Sequence, residues 1–373
     1  MITNKQLRIS IFSVYFCLFS IAFQVEGQAE KFISNEAETT RTNVYEQQLE
    51  TYLRHYLIDE YEERSAKAWN RDYSSIDALK RSVEPNRRKW KTLLGPPELR
   101  KSGPLTRKPY VLGDIQAEWI ELPLGTITAQ AILAFPVGAS KQKPRPIIIV
   151  QHGITGPPEA TFTLEYYNEY AKELLKAGFA VLVPMNLPSP ERRNHIERLC
   201  RLANTTLPGI ELRRLQNLLD IVLTDPRLDP EKVGMWGVSL GGMATMFWMP
   251  LEPRIKVGVV SGWFNERRNK MVLKDDRYSS FIVSAEEHAF FKGWLTEFSD
   301  YDVVSLIFPR PLLIQQGKKD HIAYWPMVVE EFNKSKVPYE KLNIADRIEL
   351  NIHEGGHEAV INSGIRFMLQ WLK

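Results

Sequence analysis

The chain has 373 residues, 44% of them hydrophobic, and its 48 lysines and arginines nearly balance 45 aspartates and glutamates for a formal net charge of +3. That apolar fraction over that length can bury a full core, so one large domain with an appendage is the expected count. Near-neutral charge with no basic stripe interleaved with aromatics gives no surface for nucleic acid, and the short pairs Arg192-Arg193, Arg213-Arg214 and Arg267-Arg268 read as solvated faces.

The first element is a leader. Lys5 and Arg8 precede an apolar run over residues 9–23, and small residues follow at Gly27 and Ala29. A positive start, a short apolar core and small residues describe a secretory signal peptide over residues 1–27. The run is shorter than the ~18 apolar residues a spanning helix needs, so cleavage rather than a stable membrane anchor is expected. Phe16, directly before Cys17, is too large for a bacterial lipidation site. Removal of the leader leaves Cys200 as the only cysteine and no intrachain disulfide, which fits a secreted or periplasmic bacterial protein. Cys200 itself reads as a packed residue.

Residues 28–109 form an N-terminal helical arm. A polar lead over 28–41 gives way to Tyr45, Leu49, Leu53, Leu57 and Tyr61, one apolar face along a helix over residues 45–64. A second helical stretch over 75–94 stops at Gly95-Pro96-Pro97. Such an arm cannot bury its face alone and is expected to pack on residues 110–373.

That larger region alternates strand and helix. Strands are expected over 116–122 and 126–135, and Ile147 to Val150 is a continuous apolar run of the kind found in parallel strands covered on both faces. Leu164, Tyr167, Ala171, Leu174 and Leu175 mark a helix, residues 179–184 the next strand, and Leu212, Leu215, Leu219 and Val222 a further helix ended by Asp225-Pro226. Strands near 233–238, 255–260, 311–315 and 348–352 follow, with a terminal helix carrying Ile361, Ile365, Met368 and Leu372. This is the pattern of an α/β protein, a doubly wound, mostly parallel sheet with helices on both faces. Two connections exceed the minimal alternation, residues 188–208 and 262–308. Long connections at the carboxyl edge of such a sheet shape a pocket. The second is rich in aromatics; Trp263 suits an aromatic wall for a sugar ring, against the plainer reading that these rings form the insertion's own small core.

Four loops carry chemistry. Gly237-Val238-Ser239-Leu240-Gly241 is G-x-S-x-G between an apolar strand and helix-forming residues, the setting in which the motif marks a nucleophile elbow rather than a packing loop. A nucleophilic serine calls for an acid and then a histidine after later strands. Asp320 ends the loop after the strand at 311–315, whereas its rivals Asp300 and Asp302 lie before that strand. His357 follows two glycines and opens the terminal helix; its rival His353 ends an alternating strand, and His321 reads as an exposed loop residue. An oxyanion hole is expected from the N–H of Leu240 and, in the His-Gly loop Gln151-His152-Gly153-Ile154-Thr155-Gly156, from that of Ile154, with His152 bonding the loop itself. His353 and His357 have i, i+4 spacing, but the intervening glycines disfavour the helix a zinc site would need, so no metal is expected.

These motifs carry a resemblance. QHGITG at Gln151, GVSLGG at Gly237, SLIFPRPLLIQQGKKD ending at Asp320 and GGHE at Gly355 are similar to the α/β-hydrolase superfamily, in the branch of dienelactone hydrolases, acetyl xylan esterase-like enzymes and prolyl-oligopeptidase-type domains. Pro309-Arg310-Pro311 resembles secreted bacterial esterases of that branch. The likeness spans residues 110–373. An RGQ motif expected of acetyl xylan/cephalosporin deacetylases is missing between the His-Gly loop and Ser239, which argues against that one family, although the His357-Glu358 pair is similar to it. The resemblance implies a serine hydrolase of carboxylic esters, with polysaccharide acetyl esters among the candidate substrates and no cofactor. A prolyl-oligopeptidase-type peptidase is the alternative, disfavoured because no propeller-sized region precedes the domain. A binding protein on an inactive scaffold is a third reading, disfavoured by the full set of triad candidates. Oligomeric state is not readable from the letters.

Overall fold

In the computed structural model, residues 34–163 and 167–373 are described; the expected leader and Leu164 lie outside them. Among the described residues nine strands form one sheet: β1 (Thr106–Leu112), β2 (Ile115–Leu124), β3 (Ile127–Ala134), β4 (Arg145–Gln151), β5 (Ala180–Pro184), β6 (Leu228–Val238), β7 (Ile255–Ser261), β8 (Leu312–Gly317) and β9 (Ile348–His353). Their order is β1-β2-β3-β5-β4-β6-β7-β8-β9. The strands from β4 onward run parallel, while β1, β2 and β3 are joined to them and to one another antiparallel.

The central strands are apolar on both faces because both are covered. Ile147 and Ile149 of β4 pack in one core cluster and Ile148 and Val150 in the other, as the two-residue period of a strand requires. The first cluster takes Leu212, Leu215 and Leu219 from the helix Leu207–Val222 and Met243 and Phe247 from the helix Leu240–Trp248. The second takes Phe367, Met368 and Leu372 from the terminal helix Ile361–Leu372, with Tyr170 and Leu174 from Tyr170–Lys176. The doubly wound, mostly parallel arrangement expected from the alternation is the one observed.

Strand β1 was not legible in the hydropathy. It is an exposed edge paired with β2, and its charges serve the pairing: Arg107 meets Glu118 at 2.7 Å and Lys108 meets Glu121 at 3.0 Å across the strands. A charged edge also discourages pairing with another chain.

The arm differs from expectation in four ways, the first being that the helix expected over 45–64 is broken into α-helix up to Arg54, a π-helical stretch His55–Asp59 and a helix Tyr61–Ala68. Helix begins at Asn35, inside the expected polar lead, because Ser34 caps it through a bond from the Ala37 N–H and Glu36 and Glu38 occupy the first turn. This helix, Asn35–Arg54, buries none of its residues, so Tyr45, Leu49 and Leu53 are exposed. The stretch over 75–94 is two helices, Ile76–Ser82 and Glu84–Leu94, since Pro85 has no N–H to continue the first. Residues from Tyr56 onward belong to the same compact unit as the sheet. Trp90 shows why: it is buried against Phe247 with ring centroids 4.9 Å apart, and its indole N–H donates to the Phe247 carbonyl at 3.1 Å.

Candidate active site

Ser239 stands at the bend between β6 and the helix Leu240–Trp248 with φ 59° and ψ −119°, a backbone conformation costly for a side-chain-bearing residue. The bend is tight enough to dictate its glycines. A Cβ on Gly237 would lie 1.9 Å from the Gly241 carbonyl oxygen, and one on Gly241 2.0 Å from that of Gln151. The Ser239 N–H donates to the Ser261 carbonyl at 2.8 Å, tying the elbow to the end of β7. Leu240 opens the helix behind it, so its N–H has no carbonyl a turn earlier to bond.

Asp320 is buried in the loop after β8. Its Oδ1 accepts the Ile322 N–H at 2.8 Å, and its Oδ2 accepts Gln316 Nε2 at 3.0 Å and His357 Nδ1 at 2.8 Å. Burial alone would raise this carboxyl. The hydrogen bond and charge of His357, with the Ile322 N–H and the Gln316 amide, outweigh it and hold the carboxyl below its ordinary value. A carboxylate facing Nδ1 assigns the His357 proton to Nδ1 and leaves Nε2 as the basic nitrogen.

The imidazole of His357 lies on Gly262, directly after β7. A Cβ there would fall 2.8 Å from His357 Cε1, and the φ of +62° already favours glycine. Ser239 is bonded to Ser261 and His357 rests on Gly262, so the two converge on one strand end. His357 Nε2 is buried and has no hydrogen-bond partner among the described residues, Ser239 included.

Polar residues absent from the sequence reading hold these loops together. The Ser261 hydroxyl donates to Gln315 Oε1 at 2.6 Å and accepts the Trp236 indole N–H at 3.0 Å. Gln315 in turn accepts the Val360 N–H at 3.1 Å and donates to the Val360 carbonyl at 2.9 Å, clasping the backbone just past His357. The N–H groups of Lys318 and Lys319 donate to the carbonyls of His353 and Gly355 at 2.8 and 2.9 Å, joining the acid loop to the histidine loop. The only signal in the letters was polarity at the carboxyl end of otherwise apolar strands: a serine closing β7 and two glutamines near the end of β8.

Ile154, Ser239, Leu240, Gly262 and Trp263 line one pocket of about 680 Å³ including its open mouth. His152, two residues before Ile154, is fully buried. Its Nδ1 bonds the Gly153 carbonyl at 2.9 Å, its Nε2 accepts the Asn186 N–H at 3.3 Å, and burial pushes its pKa down to about 4, so it stays neutral. Asp300 and Asp302 are engaged elsewhere, the first by Arg267 and the second by Arg71 and by the Tyr61 hydroxyl at 2.5 Å. His353 accepts the Gly355 N–H through Nδ1 at 3.2 Å and takes no part in the Asp320 contact. Among the described residues no group of three or more metal-ligating side chains could hold an ion, and no helix is long and apolar enough to cross a membrane.

The reading of three arginines as solvated is corrected. Arg193 is buried and doubly bonded to Glu211 at 2.7 and 3.2 Å. Arg267 is buried in two contacts with Asp300 at 3.1 and 2.8 Å, and Arg268 is buried between Glu266 and Glu62. Doublets of like charge look solvated in sequence because their partners are distant in the chain. The aromatics of the second insertion divide. Phe291 and Trp294 pack on Phe247 with centroids 5.6 and 5.2 Å away. Trp263 lines the pocket, with the Arg267 guanidinium 4.1 Å over its ring.

No family model matches the chain. It is 24% identical over 248 residues to the candidate hydrolase YtaP of Bacillus subtilis, covering 61% of this chain and 79% of that one. Among solved structures it is similar to a candidate acetyl xylan esterase from Bacteroides fragilis, at 16% identity and a TM-score of 0.60 over 77% of this chain and 79% of that one. It is also similar to a glucuronoyl esterase of carbohydrate esterase family 15 from Caldicellulosiruptor kristjansonii, at 18% identity and a TM-score of 0.57 over 80% and 87%. At such identities the likeness is one of architecture: the chain has the α/β-hydrolase fold.

Proposed function

We propose that this protein is a serine hydrolase of carboxylic esters, with Ser239 as nucleophile, His357 as general base and Asp320 as the group that orients and charges the imidazole. The observation that carries the reading is the 2.8 Å contact between His357 Nδ1 and Asp320, with the imidazole seated on Gly262 at the strand end to which Ser239 is bonded. In the proposed reaction His357 Nε2 takes the Ser239 proton as the oxygen attacks the ester carbonyl carbon. The N–H groups of Leu240 and Ile154 meet the resulting oxyanion, and the protonated imidazole returns its proton to the departing alcohol. Water activated by the same nitrogen then releases the acid from the acyl-enzyme. Nothing in this sequence requires a cofactor.

Carbohydrate esters, acetyl esters of polysaccharide among them, are the proposed substrate class. The solved structures of similar architecture bear esterase names, and the pocket offers the Trp263 ring beside Ser239. A cleavable leader over residues 1–27 is proposed to export the chain to where such polymers are found. Ser239→Ala tests the reading: hydrolysis of p-nitrophenyl acetate and labelling by a fluorophosphonate should both disappear while circular dichroism is unchanged. Retained turnover in a folded variant removes Ser239 from the role. A panel of acetylated sugars, aryl esters and short peptides separates esterase from peptidase.

A further inference from the structure

Lys270 is buried on the helix Arg267–Val272, and among the described residues no carboxylate forms an ion pair with it. Its ammonium donates instead to two backbone carbonyls, those of Ser279 and Ile322, and to the Ser279 hydroxyl at 3.2 Å. The rings of Tyr278 and Phe281 lie 5.1 and 5.3 Å from the nitrogen. Ser279 belongs to the pocket insertion and Ile322 to the loop carrying Asp320. A second tie joins the same two segments, since the Ser279 N–H donates to the His321 carbonyl at 3.0 Å.

The position is costly for a cation. Burial pushes the Lys270 pKa down to about 7, Arg267 adds to the fall, and the charges of Asp320 and Glu286 oppose it. An apolar side chain would fill the space without that penalty, so the ammonium has a use. The path of contacts names it. Lys270 fixes the Ile322 carbonyl, the Ile322 N–H fixes Asp320 Oδ1 at 2.8 Å, and Oδ2 is left facing His357 at 2.8 Å.

We infer that Lys270 is a positioning residue that locks the acid loop to the pocket wall and so sets the aim of Asp320 at His357. The inference rests on the catalytic reading of Ser239, Asp320 and His357. Without the ammonium, the turn after Asp320 keeps the Ser279–His321 bond to the insertion but loses the one at Ile322, and the carboxylate's approach to Nδ1 loosens. Misplacement on the scale of 1 Å costs about 10²-fold in rate, so a fall in kcat of roughly 10- to 10²-fold is expected.

The test uses Lys270→Met and Lys270→Gln in the full chain, with kcat and KM for p-nitrophenyl acetate measured separately. In parallel, the downfield proton resonance of His357 Nδ1–H is recorded and assigned by its absence in His357→Gln. The expected result is a lowered kcat, a KM within about threefold of wild type, and a resonance that broadens or moves upfield. An unchanged kcat and resonance overturns the inference, as does a raised KM at constant kcat, which would make Lys270 a substrate-binding group. Failure of both variants to fold also overturns it, by making the ammonium a requirement of the fold. The resonance reports the Asp320–His357 contact whether or not Ser239 is the nucleophile, so a failure here is distinguishable from retained turnover in Ser239→Ala.

Discussion

Replacing Asp320 by asparagine removes a charge while keeping the shape, and the surroundings decide how the new amide lies. One carboxyl oxygen accepts two donors, Gln316 Nε2 and His357 Nδ1–H, while the other accepts only the Ile322 N–H. An asparagine therefore turns its oxygen toward His357 and its amide nitrogen toward Ile322. That choice preserves the imidazole tautomer, at the expense of two buried donors left facing each other, about 1–3 kcal/mol of stability. Under the proposed mechanism, what catalysis loses is the negative charge beside the imidazolium that forms in the transition state. Two unit charges about 4 Å apart at an effective dielectric constant of ~20 attract by about 4 kcal/mol. At about 1.4 kcal/mol per power of ten, kcat should fall about 10³-fold. The assay is p-nitrophenyl acetate hydrolysis by wild type and Asp320→Asn, with thermal unfolding followed across pH. The carboxyl of Asp320 is held below its ordinary value, so the stability it contributes is fully present above the unfolded pKa of about 3.9 and is lost as pH falls through the lower folded value. The gap in stability between wild type and variant should close over that acid window. A fall in kcat of less than tenfold in a folded variant refutes the reasoning, because Asp320 would then not be the residue that charges the imidazole.

Two further substitutions probe the site and its support. Gly262→Ala places a methyl 2.8 Å from the His357 ring at a φ of +62°, so kcat should drop by about 10²-fold and unfolding become easier by about 1–2 kcal/mol; a variant with wild-type kcat would show that the imidazole works from somewhere else. Glu331 is buried, and that burial, followed by the charges of Glu266 and Asp300, pushes its pKa up to about 8. Folding therefore takes up a proton at Glu331, and the wild type loses stability as pH climbs from the unfolded value near 4.3 toward about 8. Glu331→Gln should gain in melting temperature relative to wild type between pH 5 and pH 8, and a difference that does not change with pH refutes the assignment.

The parts of this molecule that were legible in the letters are those governed by local rules. The buried β4 strand reads as a continuous apolar run because helices cover both its faces. The elbow reads as G-x-S-x-G because Gly237 and Gly241 have no room for a Cβ. The order of strand-ending loops pairs Asp320 with His357, and the two meet at 2.8 Å. Other features depend on partners far away in the chain. Arg267 and Arg268 look like a solvated pair until Asp300 and Glu62 are brought to them. Lys270 lies in a short helix of six residues with no amphipathic period to betray its burial. Strand β1 is charged because it is an edge, and charge in a window of residues argues against a strand. The helix Asn35–Arg54 begins ten residues before the expected span of 45–64 because its apolar residues begin well after its cap.

The same long-range pairs give the arm a task. Tyr61 donates its hydroxyl to Asp302 at 2.5 Å, and the Trp69 indole donates to the Glu297 carbonyl at 2.8 Å. Glu62 reaches Arg268 at 3.1 Å and Lys334 at 2.7 Å. Each of these bonds lands on the second insertion or on the helices that follow it, the region supplying the pocket wall around Trp263, Arg267 and Lys270. Short helices and turns without a continuous apolar face cannot fix their own positions, since buried polar groups must find partners and the insertion is too small to provide them all. Tyr61 and Glu62 of the helix Tyr61–Ala68, with Trp69 just after it, supply some of those partners from far away in the sequence. A pocket wall held this way owes part of its position to hydrogen bonds and ion pairs from the arm. The strand ends carry Ser239, Asp320 and His357, and the arm braces the insertion that lines the pocket with Ser239, which Lys270 ties back to the loop of Asp320.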